Sequence, residues 1–269
     1  MAAVERRGGG VGVTGARSPL VRWGVFALAL VVWELAARAA GSAFFPPPSA
    51  IAAAGWALWF SGPAVLTEGA WADVLPSVGR VLAGWAVSGV IGIAVGLLLG
   101  RSRRATEYLA PLLAFARALP PPVLIPVFLV LFAAGTPMQL ATIVFGTVWP
   151  VLLATAAGAR DVDPVTIDTA EVYGVAGLRR LRRVILPASA PRIVAGLRVS
   201  LSLALILMVV SELVASTNGL GHQLVVAQRS FDFTAMWAAI VLLGAVGYAL
   251  NAALLGVERR ALGWTTAGG

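Results

Sequence analysis

The sequence predicts an all-α integral membrane protein of six transmembrane helices. Three observations carry that prediction: a composition too apolar for a water-soluble domain, apolar stretches near spanning length along the whole chain, and arginines gathered in alternate gaps between them. Of 269 residues, 59% are hydrophobic and 12% charged, with a mean hydropathy of +0.89. Such a chain is dissolved by lipid rather than water. The stretches recur with only short basic or Gly/Pro-bearing breaks, so one membrane domain over 20–262 is expected, with a loop at 160–191 and terminal tails at 1–19 and 263–269.

A crossing helix needs roughly 20 apolar residues. Val21–Ala40, Val78–Gly100, Pro120–Ala134, Met138–Ala159, Ile193–Ala215 and Ala235–Val257 meet or approach that length. The first has an alternative reading as a cleaved secretory signal, since Arg17 and Arg22 precede its apolar core and Ala-Arg-Ala-Ala follows. Trp33 and Glu34 interrupt that core and favour a span.

Orientation follows from the arginines, because short loops rich in Arg or Lys stay on the cytoplasmic side. Arg6, Arg7, Arg17 and Arg22 precede span one, and Arg101, Arg103 and Arg104 follow span two. Arg160, Arg179, Arg180, Arg182, Arg183 and Arg192 lie between spans four and five, and Arg259 and Arg260 follow span six. The opposite gaps hold only Arg38, Arg80 and Arg229, together with Glu68, Asp73 and Asp232. Both termini are therefore expected in the cytoplasm. The arginines flank spans and form no stripe with interleaved aromatics, so the high isoelectric point does not indicate nucleic-acid binding.

Span two places Gly84, Ser88, Gly92, Gly96 and Gly100 at every fourth position, one face nearly without side chains. It predicts a close helix–helix contact within the subunit, with a dimer seam as the alternative. Segment three is irregular. Pro120, Pro121, Pro122 and Pro126 remove backbone donors in quick succession, so helix cannot run smoothly there. Thr106–Ala118 is read as a leg near the cytoplasmic interface, with the crossing part starting at the prolines. Broken backbone must be buried or line a watery path; a merely structural kink is the other reading.

The inventory removes most enzymes. All the basic side chains except His222 are arginines, so no P-loop lysine exists. Zero cysteines exclude thiol chemistry, and a single histidine cannot form a two-histidine zinc motif. No cofactor or metal is expected in this chain.

The long basic loop reads as two short helices. Asp163 can cap, Pro164 suits the first helical position, and Gly174 can take the left-handed conformation that ends the first helix. Leu178, Leu181 and Ile185 then follow a helical stripe that Pro187 and Pro191 are expected to stop. By charge alone this could be an interfacial amphipathic helix. However, Asp168-Thr169-Ala170, then Gly174, then Val184-Ile185-Leu186-Pro187 resembles the EAA motif of binding-protein-dependent ABC importer permeases, with Asp for the usual Glu and Thr for the first Ala.

The resemblance extends over nearly the whole chain and is closest to the nitrate/sulfonate/taurine branch. Phe45-Pro46-Pro47-Pro48-Ser49, Ser77 to Gly84, Arg117-Ala118-Leu119-Pro120-Pro121, Gly196-Leu197-Arg198, Ser211-Glu212, Gly219-Leu220-Gly221 and Glu258-Arg259-Arg260 are similar to that branch. His222 stands where an aromatic is more usual. The resemblance implies the type I importer permease fold, a homodimer, two cytoplasmic ATPase subunits that bind ATP in place of this chain, and an extracytoplasmic solute-binding protein. It makes the loop a coupling helix seated on the ATPase. The implied solute is a small anion, with glycine-betaine or methionine import as the runner-up.

Among polar residues in the spans, Glu212 is costly in hydrocarbon and is expected to serve a gate or a helix-pairing network. Ser211 is grouped with it, Asn251 is expected to bond across helices, and Arg117 and Arg198 could attract an anion or merely snorkel to the interface.

Overall fold

A computed structural model describes residues 19–63 and 65–261. The expected tails lie outside the described residues, Pro19 excepted. The described residues are helical almost throughout. Helix α1 (Pro19–Ala40) is followed by α2 (Pro48–Gly55), which begins on a proline and ends in a π-helical turn over Trp56–Phe60. A second π turn, Ala70–Val74, runs into α3 (Leu75–Arg101) to make a helix of 32 residues. Then come α4 (Arg103–Ala118), a 3₁₀ turn at Pro121–Leu124, α5 (Ile125–Phe132) and α6 (Thr136–Arg160). After α7 (Pro164–Val172), α8 (Gly177–Arg180) continues through a π turn at Leu181–Ile185 into α9 (Leu186–Ala215). Helices α10 (Leu220–Arg229) and α11 (Phe233–Ala261) complete the described chain.

Among the described residues five helices are long and apolar enough to cross a bilayer, and the α4/α5 pair, bent by 84°, provides for a sixth crossing. The break falls at the prolines. The helix beyond it is shorter than the predicted span, because the 3₁₀ turn uses Pro121–Leu124 and Ala133, at φ +59, ends α5. Eight residues of helix reach about 12 Å, well short of the hydrocarbon core.

The centre is a sandwich of α3, α6 and α9, with Val81, Ile143, Leu201, Ala204 and Met208 buried between them. The small-residue face of α3 lies against α6 of the same chain. A Cβ added at Gly92 would sit 2.8 Å from Val151 Cβ, one at Gly96 would sit 2.6 Å from Thr155 Cβ, and one at Gly100 would sit 2.6 Å from the Ala156 carbonyl oxygen. Gly84 meets Ile143, and Ser88 is buried with its hydroxyl donated to the Trp85 carbonyl at 2.9 Å. Without Cβ atoms the backbones approach closely enough for dispersion to hold two helices that lipid would otherwise separate.

Around this core, α2 with its π turn, the turn before α3 and α11 pack together through Ile51, Trp59, Ala70, Ala238 and Ala239. Helix α1 is peripheral, exposing Trp23, Val25, Phe26, Leu28 and Leu35. Apolar residues on all sides suit a helix surrounded by lipid.

Two further expectations fail in the fold. Pro187 and Pro191 do not stop the loop's second helix: Gly177–Ala215 is one helix of 39 residues. The π turn shifts the hydrogen-bond register, with the Leu186 N–H bonding the Leu181 carbonyl, and the helix passes Pro187 directly after that shift although this residue donates no bond. Arg80 and Asp73, counted as loop charges, are buried, on α3 and on the turn that precedes it.

Candidate functional site

Two sites emerge, at opposite ends of the core helices. The first is the loop between α6 and α9. Asp163 Oδ1 accepts the Val165 N–H at 3.0 Å and starts α7. Gly174, at φ +69, ends it: the Val175 N–H bonds the Ala170 carbonyl at 2.8 Å and the Gly174 N–H bonds Glu171 at 2.9 Å. This paired closure needs a left-handed residue, which glycine supplies without a Cβ clash. Gly177, at φ +55, makes a second left-handed corner that the sequence reading missed.

The corner is held firmly on the bundle. Ala159, Val162 and Ile185 form a buried cluster with Ile167 and Leu181 packed on it. Arg192 pairs with Asp161 at 2.6 Å, and Arg180 reaches Glu171 at 3.4 Å. Of the predicted coupling residues, Ala170 is buried, while Leu181, Val184 and Leu186 are half-buried. Asp168, Thr169, Gly174 and Pro187 face outward. Leu178 is also exposed and so leaves the expected stripe. Val165, Val172 and Tyr173, which sequence reasoning did not single out, stand clear of the protein, Val172 85% and Tyr173 80% exposed. Their signal was an apolar group on a short helix whose buried positions were already taken.

The second site surrounds Glu212. Its carboxylate accepts the Ser77 hydroxyl at 2.8 Å, Arg80 Nη1 at 2.6 Å and the Gly221 N–H at 2.9 Å. Ser77 Oγ in turn accepts the Leu220 N–H at 2.9 Å, and Asp73 accepts the Gly219 N–H at 2.8 Å and Gln223 Nε2 at 2.7 Å. Side chains from α3, the turn before it and α9 thus cap successive backbone donors at the start of α10, where a helix's positive end favours carboxylates. Arg80 also bonds Asn218 Oδ1 at 2.6 Å and Thr136 Oγ1 at 3.2 Å. Buried charges persist when paired and hydrogen-bonded in this way.

The other predicted residues are dispersed. Ser211 is buried, donating to the Met208 carbonyl in its own helix, and does not join the Glu212 network. Pro120 and Pro121 form the α4/α5 break, with Pro121 against Gly146 of α6. Arg117 is exposed on α4, beside a cleft shared with Arg160. Arg198 pairs with Glu258 across α9 and α11. Asn251 Oδ1 is enclosed without a hydrogen-bond partner, so the expected cross-helix bond is not formed.

The family model of the binding-protein-dependent transport system inner membrane component matches residues 90–262. A probable ABC transporter permease of Brucella melitensis is 30% identical over 89% of this chain and 94% of its own length. The bicarbonate transport system permease of Synechococcus elongatus is 31% identical over 72% of this chain and 70% of its own, and the taurine transport system permease of Escherichia coli is 28% identical over 90% and 88%. The methionine ABC transporter MetNI, in an inward-facing conformation, contains a chain similar in fold, with a TM-score of 0.59 at 19% identity, covering 73% of this chain and 99% of that one. The chain therefore belongs to the binding-protein-dependent ABC transporter permeases, in the branch that includes those bicarbonate and taurine relatives.

Proposed function

We propose that this permease forms, as a homodimer, the path for a small anion delivered by an extracytoplasmic binding protein, and that the loop from Asp168 to Pro187 couples it to a separate ATPase that binds the nucleotide. The observation that carries the reading is the outward corner at Gly174, with Val165, Val172, Tyr173 and Leu178 exposed on a projection anchored by Ile167 and Ile185. Exposed apolar side chains on an anchored projection suit burial in a partner's groove. The helix that leaves the corner is continuous with α9, so a push on Leu178 travels as a rigid displacement into the membrane.

The anionic solute is supported by the bicarbonate and taurine relatives. One-sided arginine clusters support cytoplasmic termini. Glu212 and Arg80 hold α10 against α3, and we assign them to the frame of the extracytoplasmic gate instead of to solute contact, since the carboxylate is enclosed. The test is reconstitution in liposomes with the cognate ATPase and binding protein. Solute-stimulated ATP hydrolysis and uptake are expected, and both are expected to disappear when Tyr173→Asp and Leu178→Asp are introduced together. Full coupling in that variant would remove the assignment.

A further inference from the structure

We infer that the cleft between α4 and α6 holds an anionic phospholipid, with its phosphate among Arg101, Arg103 and Arg160 and an acyl chain along the apolar floor. Two adjacent hollows, with Leu99, Thr106 and Arg160 common to their walls, make up this cleft. The outer one, about 520 Å³, is bounded by Arg101, Arg103 and Arg160, with Glu107 as the acidic residue on its wall. That carboxylate is already engaged by Arg103 Nε at 2.9 Å, which leaves the mouth strongly cationic. Arg101 spends one N–H on the Ala159 carbonyl at 3.4 Å, and a guanidinium carries further donors.

The second hollow, about 180 Å³, is lined by Leu99, Leu113, Leu152, Leu153 and Ala156, with Arg117 and Trp149 also on its wall. Along α4 it runs from Thr106 to Arg117, about 16 Å at helical rise. A free oxyanion has no use for that length of hydrocarbon wall, whereas a lipid tail does. The mouth lies where α3 and α6 end, so it sits at the membrane surface whenever those two helices span the bilayer. Basic pockets between helices at that depth suit phosphate head groups, each arginine contributing electrostatic attraction to an anionic surface.

The experiment uses the full-length permease purified in detergent, with phosphatidylglycerol and phosphatidylcholine titrated in native mass spectrometry. Phosphatidylglycerol is expected to be retained in preference to phosphatidylcholine. Retention should fall about fivefold in Arg160→Gln and about twenty-five-fold in Arg101→Gln/Arg160→Gln, on the scale of a juxtamembrane basic residue. Arg101→Lys/Arg160→Lys should recover most of it, which a folding defect would not allow. Arg259→Gln/Arg260→Gln, at the end of α11, should leave retention unchanged. Equal losses in both pairs, or equal retention of the two lipids, would overturn the site. Displacement by millimolar inorganic phosphate or sulfate as readily as by lipid would also overturn it, assigning the mouth to free oxyanions. None of these readings needs transport or ATPase, so the result is independent of the function proposed above.

Discussion

Arg80 and Glu212, 132 positions apart in the chain, form an ion pair of 2.6 Å with both side chains almost wholly enclosed. The pair joins the start of α3 to the end of α9, and through Ser77 and Gly221 it also fixes α10.

Removing one member of this pair should be worse than removing both charges. Arg80→Leu leaves a carboxylate buried beside an apolar side chain and is expected to cost about 3–5 kcal/mol. Arg80→Leu/Glu212→Gln should recover a good part of that loss, since Gln keeps a carbonyl acceptor for Ser77. Thermal unfolding of the detergent-solubilised permease, arranged as a double-mutant cycle, measures both. Additive effects would place the two residues in separate roles.

The contact of α3 with α6 leaves no room for side chains. Gly92→Leu and Gly96→Leu, which drive atoms into Val151, Thr155 and the α6 backbone, are expected to destabilise by about 1–3 kcal/mol each and lower folded yield. Val90→Leu, at a position 70% exposed, should match the parent. Fluorescence-detected size-exclusion profiles would compare the three.

Gly174 is expected to matter for coupling more than for insertion. Its φ of +69 costs a branched residue about 1–2 kcal/mol, so Gly174→Val should redirect the corner while leaving the spans intact. Transport and co-purification with the ATPase should fall, and membrane-extracted yield should hold. Asp168→Ala, which alters an exposed side chain and no backbone path, should give a milder defect.

In this chain without cysteines, single cysteines can map topology. Ala43→Cys and Thr217→Cys, both exposed, should label from outside intact cells with an impermeant maleimide, and Thr166→Cys and Ala176→Cys only after permeabilisation. Labelling of Thr166→Cys from outside would invert the proposed orientation.

What the sequence determined by itself is what depends on short-range chemistry. Hydropathy runs marked the crossing helices because lipid selects residue by residue. The proline series marked the α4/α5 break because missing N–H groups act within one turn. Gly174 declared its corner because only glycine takes that backbone angle freely, and Gly84 to Gly100 declared a bare face because four-residue spacing stacks on one side of a helix.

Tertiary structure alone decided which side chains meet. Arg80 reads as a loop charge until α9 and α10 are packed beside α3, because an arginine's place depends on a partner 132 positions away. Asp73 gains its meaning from the N–H of Gly219, 146 positions on. Pro187 reads as a helix stop until the π turn at Leu181–Ile185 shifts the register before it, a choice made where Ile185 is buried against Ala159 and Val162. In each case the deciding energy is a contact between distant elements, and no local pattern encodes it.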